Sequence, residues 1–427
     1  MKTKRILSLL MAGALLTGAL TGCGGKKDDS AQSGDSSGVI TINYPTFQCG
    51  TNTSAPVCDE LIKEFNEKYA GKYEIKKEDV PGDQNYMDKI KVQLGTGDLP
   101  PVIYGGGYNL LDMVVAKDLA VDLTDAVNSD ADWKALYSDT ALATNSRDGK
   151  IYASSMEGQV IGYFYNKDLF QQAGITETPE TWTEFMEACQ KLKDAGINAV
   201  TCDDAYMTLI PNNYLARLVG SDTIAAMSAS ASDPAWQSEE VKQAFAAMEA
   251  LSPFMSPQTA TNKYPAGQQE FALGEAAMYL NASWMPSEVA DTAGEDFPWG
   301  FFAFPQVEDG AEGSGYVSVG GVPLAVYSGS PNPEAAKEFL RYVASKEVQD
   351  YLAEQGGAPA TVGSEWPGAR AECTDVIAAA DKVASLNCDL SSEFVSAVFT
   401  MEMNKVLTQQ TTADKAVSTL TGEASKY

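Results

Sequence analysis

Residues 147–196 constrain the fold more than any other stretch, because they set a turn, a strand, a sharp stop and a capped helix in succession. Asp148-Gly149 is a tight-turn pair that tolerates positive φ and feeds a short strand over residues 151–153. Tyr163, Phe164 and Tyr165 form an aromatic strand that ends at Asn166. Pro179 prepares a helix start, with Thr181 at the N-cap and Glu184 three residues on, the pattern of a capping box. Trp182, Phe185, Cys189 and Leu192 then recur at helical spacing, and Gly196 closes the helix. Local physics alone makes this a strand-helix unit of an α/β domain.

The same alternation runs through the preceding chain. Residues 40–44 read as a strand that stops at Pro45, and Leu61, Ile62, Phe65 and Tyr69 mark one face of a helix. A second strand follows over residues 73–80, then a helix carrying Met87, Ile90 and Leu94, then a third strand at residues 102–104. Strands alternating with helices predict a parallel, βαβ-built sheet. Beyond the N-terminal segment roughly 405 residues remain, too many for one compact core, so two domains are expected.

That N-terminal segment reads as an export signal. Met1-Lys2-Thr3-Lys4-Arg5 is basic, and the apolar run over residues 6–20 is too short and too rich in glycine (Gly13, Gly18) for a membrane span. Residues 24–38 are rich in Gly, Ser, Asp and Lys, cannot bury a core, and read as a flexible tether. The net charge of −28 argues against nucleic acid or anionic membrane surfaces as partners, and disfavours anionic ligands. Histidine is absent, which excludes Ser-His-Asp and Cys-His catalysis and histidine-ligated metals. A pair of carboxylates could still hydrolyse a glycoside.

After Cys23, six cysteines form three sequence-local pairs: Cys49 with Cys58, Cys189 with Cys202, and Cys373 with Cys388. Disulfides are the expectation for an exported chain, and buried free thiols are the rival reading. No C-x-x-C occurs, so the usual zinc and redox signatures are missing and no metal is expected. Gly105-Gly106-Gly107-Tyr108-Asn109 has the look of a phosphate cradle. It lacks the lysine, the Ser/Thr and the spaced glycines of a P-loop, so neither a nucleotide nor another cofactor is expected.

The order Y-N-K-D-L-F (165–170), A-G-I (173–175), P-E-T-W-T-E-F (179–185) and K-L-K-D-A-G-I (191–197) resembles the family 1 extracellular solute-binding proteins. These are the substrate-capturing lipoproteins of bacterial ABC importers, relatives of the maltose-binding protein. The likeness continues through F-A-L-G-E-A-A-M (271–278), Ser283-Trp284, Phe304-Pro305, Gly320-Gly321 and the segment from Pro333 to the Gly357-Ala358-Pro359 run. Pro101 stands where the family usually has aspartate. Leu20-Thr21-Gly22-Cys23 is similar to a lipobox, which implies cleavage after residue 22 and a lipid on Cys23.

The resemblance implies an α/β, two-lobe periplasmic-binding-protein-like fold of type II, with residues 1–22 as signal and 23–38 as linker. One lobe would hold residues 39–155 and 322–363, the other 156–321 and 364–427, with crossings near 155–158, 318–322 and 363. It further implies a monomer on the outer face of the cell membrane that is no enzyme. Such a protein binds a sugar or oligosaccharide between its lobes and hands it to the permease subunits. The alternatives are a non-sugar solute (glycerol phosphate, peptide or osmolyte), a sugar sensor's partner, and a secreted glycosidase.

Ligands of α/β sheets lie beyond the C-terminal ends of the strands, at switch points of the topology. Trp284 matches the family's sugar-stacking tryptophan, since a pyranose face is apolar and its edge polar. Tyr214 resembles a second stacking aromatic, with Asn212 in place of the usual carboxylate, and Glu157 corresponds to a hinge glutamate that bonds ligand hydroxyls. Phe47, Gln48, Tyr108 and Asn109 come from loop position, with Phe394 a further candidate. Trp182 and Trp299 read as core, and Trp236 stays unassigned.

Overall fold

A computed structural model describes residues 38–427 apart from 53, 107–109, 138–141, 143, 295, 296, 356, 362, 365, 367–369 and 391. β1 (Ile40–Thr46) and β2 (Tyr73–Asp79) pair in parallel, joined by the helix Ala55–Lys68, whose Leu61, Ile62 and Phe65 are buried. The helix Asp83–Thr96 leads to β3 (Val102–Tyr104), and β4 (Ser146–Arg147) and β5 (Lys150–Ile151) form a hairpin. Its turn holds Asp148 at φ 50° and Gly149 at φ 75°, as the sequence predicts for that pair.

The long strands come next. β6 (Ala153–Asn166) is followed by β7 (Asn198–Thr201), β8 (Ala276–Ala282), β9 (Trp299–Ala303), β10 (Tyr316–Val326) and β11 (Lys382–Ala384). The sheet order is β11-β10-β6-β8-β7, with β3 on β10 and β9 on β6. β3 runs antiparallel to β10 and β11 parallel to it, so the C-terminal ends of β3 and β11 point at each other along one edge of β10. Between them β10 pairs with β6 from Val319↔Val160 to Ala325↔Ala153, with a register break between Gly321 and Pro323.

Apolar packing divides at that break. Ile42, Phe65, Val102, Met156, Val322, Leu324 and Phe339 share one core. Ile103, alternating with Val102, faces a separate cluster with Tyr86, Ile90 and Leu94 on the other side of the sheet. Val160, Tyr163, Phe164, Phe185, Trp236, Phe245, Val319 and Phe399 belong to a different and larger core. β6 and β10 therefore each pass from one core to another within about four residues, and this is where two lobes meet. Glycine permits the close approach there. A Cβ on Gly321 would stand 2.5 Å from the carbonyl oxygen of Glu157, and one on Gly158 would stand 2.7 Å from that of Pro359.

The helix Trp182–Asp194 shows how locally the larger lobe is specified. Thr181 accepts from the Glu184 N–H while the Glu184 carboxylate accepts from the Thr181 N–H, completing the capping box. Trp182, Phe185, Cys189 and Leu192 are buried on one face.

Candidate functional site

The loops after β7 and β8 carry the exposed aromatic surface. Trp284 follows β8 at the N-cap of the helix Met285–Ala293 and is half-buried. Its ring lies 6.1 Å from that of Tyr206, in the segment after β7, and Tyr206 lies 5.7 Å from Tyr264. Tyr264 is 44% exposed. Three aromatic side chains thus form a row whose outer faces no other ring covers among the described residues, a surface suited to a flat apolar ligand face.

Carboxylates border this row. Glu288, one turn into the helix that starts at Trp284, accepts from the Tyr264 hydroxyl at 3.1 Å. Burial raises its proton affinity, and the like charges of Asp203 and Asp83 add to that. Asp203 is fully buried and accepts from the Tyr279 hydroxyl at 2.9 Å and from the Ala205 N–H at 3.2 Å. Burial raises its pKa as well. Asp83 opens the helix after β2, on the other lobe; its residue is exposed, and partial loss of water around the carboxyl still raises its proton affinity.

The hinge joins the two sides. Glu157 is 8% exposed, and burial pushes its pKa up to about 7 against an Ala358 N–H and the Arg370 guanidinium, which both favour the charged form. Arg370 donates from Nη2 to Ser287 Oγ at 2.5 Å, which links the hinge carboxylate to the helix that begins at Trp284. Tyr104, at the end of β3, is packed by Phe47 at 4.9 Å and Tyr86 at 5.8 Å. Its phenol is raised by burial and then by the charges of Asp83 and Glu157, so it stands where hinge and first lobe meet. Tyr104 also lines a cavity of about 350 Å³ between the facing ends of β3 and β11. Gly105, Asn145, Ser155, Gly321 and Leu386 form other parts of its wall.

The structure sorts the residues expected from sequence. It brings Trp284 and Glu157 into this region, with Phe47 against Tyr104. Gln48 is 3% exposed, and its side-chain oxygen has no partner among the described residues. Tyr108, Asn109 and Cys23 lie outside the described residues. Tyr214 is a correction. It is 4% exposed inside the helix Leu209–Val219, with its ring 4.8 Å from core residue Trp182. Pro211-Asn212-Asn213-Tyr214 is thus helix, not loop, and the aromatic beside Trp284 is Tyr206, eight residues earlier. Asn212 is buried in the same helix and donates to Thr208 Oγ1 and Asn387 O, both at 3.4 Å. Phe394 is also core, 5.1 Å from Trp236.

The disulfide expectation is corrected too. All six described cysteines are buried free thiols. Cys49 lies near Cys58, and Cys189 and Cys202 both lie near Tyr163. Cys388 shares a hydrogen bond with Ser318 at 3.0 Å and faces Arg217, whereas Cys373 sits beside Arg370. Tyr206, Tyr264, Asp83, Asp203, Glu288 and Arg370 were missed. Only Asp203 and Tyr206 had a readable signal, since Asp203-Asp204-Ala205-Tyr206 begins two residues after the end of β7.

Two lobes joined by short strand crossings, with aromatic and carboxylate side chains gathered at the strand ends, define a two-lobe binding protein. The sequence matches the bacterial extracellular solute-binding protein family over residues 52–350, and the chain belongs to that family of binding proteins, which are not enzymes. It is 26% identical over 373 residues to the diacetylchitobiose binding protein DasA of Streptomyces coelicolor, covering 84% of this chain and 81% of that one. It is 26% identical over 194 residues to the arabinooligosaccharide-binding protein of Bacillus subtilis, 44% of this chain and 42% of the relative. Among solved structures, a chitin oligosaccharide binding protein superposes with a TM-score of 0.74 at 21% identity, covering 91% and 98% of the two chains. RafE in complex with raffinose gives 0.69 at 20% identity, covering 90% and 98%. No described helix is long and apolar enough to cross a membrane.

Proposed function

We propose that this protein captures an oligosaccharide between its lobes by hinge closure and delivers it to the permease of an ABC importer. The observation that carries the reading is the row Trp284–Tyr206–Tyr264 beside buried polar groups, at the strand ends of one lobe and facing the hinge. Pyranose faces stack on the rings while hydroxyls reach Glu157, Gln48 and the neighbouring carboxylates. Closure is favoured because the closed form touches ligand from both lobes. The relatives named for diacetylchitobiose and arabino-oligosaccharides support a glycan of two or more units.

The lobes of this reading are residues 39–155 plus 322–363 and 156–321 plus 364–427; separate cores around Phe65 and Phe245 support the division, with Met156 packing into the first core and Ala358 into the second at the crossings. Cys23 carries the lipid and residues 24–38 the tether, placing a monomer on the outer face of the membrane. Calorimetry with chito-, cello-, arabino- and raffinose-type oligosaccharides tests the glycan. Saturable binding of at least one is expected, and binding of a peptide or osmolyte instead of every glycan would refute it. Release of a Cys23→Ser variant into the medium is the outcome expected of a lipid anchor, and retention on the membrane would count against it.

A further inference from the structure

On the acidic side of the aromatic row, Asp83, Asp203 and Glu288 form no ion pair with a lysine or arginine among the described residues. The strongest influences on Glu288 are burial, Tyr264, Gln268, and the like charges of Asp203 and Asp83. Cations nearby in the chain are occupied. Lys263 pairs with Asp204 at 2.8 Å, and Arg370 turns to Ser287 and Glu157. Buried carboxylates are normally matched by a cation or a set of donors. Here the mismatch extends to neutral atoms. Gln268 is 2% exposed and lies against both Tyr264 and Glu288, yet its Oε1 has no partner among the described residues. Glu288 Oε2 is likewise buried without one. Both orphans are acceptors, and they sit beside the rings of Tyr264, Tyr206 and Trp284. Acceptors, negative charge and aromatic faces together describe a place for a group that donates several hydrogen bonds and carries positive charge.

We propose that the cleft recognises a glycan bearing a protonated primary amine, a hexosamine unit whose ammonium lies between Glu288, Gln268 and the aromatic row. This rests on the glycan reading above and narrows it. The sugar ring stacks on Trp284 or Tyr206, and the ammonium donates to Glu288 Oε2 and Gln268 Oε1. An N-acetylated unit presents an amide N–H and no charge at the same place, and a plain hexose presents one hydroxyl.

Three β-1,4-linked sets of equal length separate these cases: glucosamine, N-acetylglucosamine and glucose di- and trisaccharides, titrated calorimetrically at neutral pH. The amine set is expected to bind about 10- to 100-fold more tightly than the glucose set, the usual gain of a charge-assisted hydrogen bond. In Glu288→Gln that ratio is expected to fall to within about threefold, whatever the change in overall affinity. Equal or weaker binding of the amine set overturns the proposal, and binding of either neutral set then leaves the glycan reading standing. No binding by any set, with other oligosaccharides also silent, removes both. A simple alkylammonium salt binding as tightly as the amino-sugar would overturn the glycan part.

Discussion

Replacing Trp284 with alanine removes the ring at the head of the aromatic row without opening a core. The indole is half-buried, with Tyr206 at 6.1 Å, so part of its surface is already covered by protein and the rest is free for a ligand. A buried aromatic contributes about 150–250 Å², so a sugar stacked on the free half covers on the order of 100 Å². At about 25 cal/mol per Å² this is worth ~2.5 kcal/mol, or roughly a 70-fold change in Kd. The assay is calorimetric titration with whichever oligosaccharide the unaltered protein binds, alongside thermal melting of both proteins without ligand. The expected result is a 10- to 100-fold loss of affinity, roughly, with Tm lowered by only a few degrees. A variant that melts normally and binds within twofold of the unaltered protein would refute the placement of ligand on Trp284, and the row would have to be read as surface packing.

Tyr206→Ala is expected to weaken the same titration by about tenfold. Tyr214→Phe should leave binding unchanged, whereas Tyr214→Ala costs about 3–5 kcal/mol of stability as a core cavity, read by denaturant unfolding. Glu157 makes the pH dependence specific. Its folded pKa of about 7 lies above the ordinary 4.5, so the folded chain holds a proton that the unfolded chain has lost between those values. Stability therefore falls as pH rises through that window, by about 3 kcal/mol at most, and Glu157→Gln should raise Tm more at pH 8 than at pH 4. Groups facing Glu157 are the Arg370 guanidinium, the Ala358 N–H and the Tyr104 phenol, and an equal gain at both pH values would contradict this account. Intact mass under denaturing conditions should be the same with and without reductant. A two-dalton gain per bridge on reduction would show that the six buried thiols pair after all.

What could be read from sequence was whatever its near neighbours determine. Asp148-Gly149, the Thr181–Glu184 capping box and the buried face Trp182-Phe185-Cys189-Leu192 each need only a few adjacent residues, and each stands as expected. Trp284 and Glu157 were singled out by the family resemblance, and the structure puts Trp284 just beyond the end of β8 and Glu157 in the strand that crosses between cores. Tyr214 misled for a physical reason. The helix Leu209–Val219 is buried on nearly all sides, so its sequence has no polar face to announce a helix, and Pro211-Asn212-Asn213 imitates a loop. The acidic wall was illegible in another way. Asp83, Asp203 and Glu288 are far apart in sequence and belong to two lobes, and 58 Asp and Glu residues mask any three of them. Only folding shows that buried Asp203, half-buried Glu288 and exposed Asp83 come near one another, and none of the three forms an ion pair with a lysine or arginine among the described residues. A surface excess of acid serves solubility, but Asp203 and Asp83 beside Glu288 raise its proton affinity, and Glu288 Oε2 stays without a donor among the described residues. On the proposed reading, three of those charges gather beside the aromatic row, and the ligand's own charge becomes the quantity to measure.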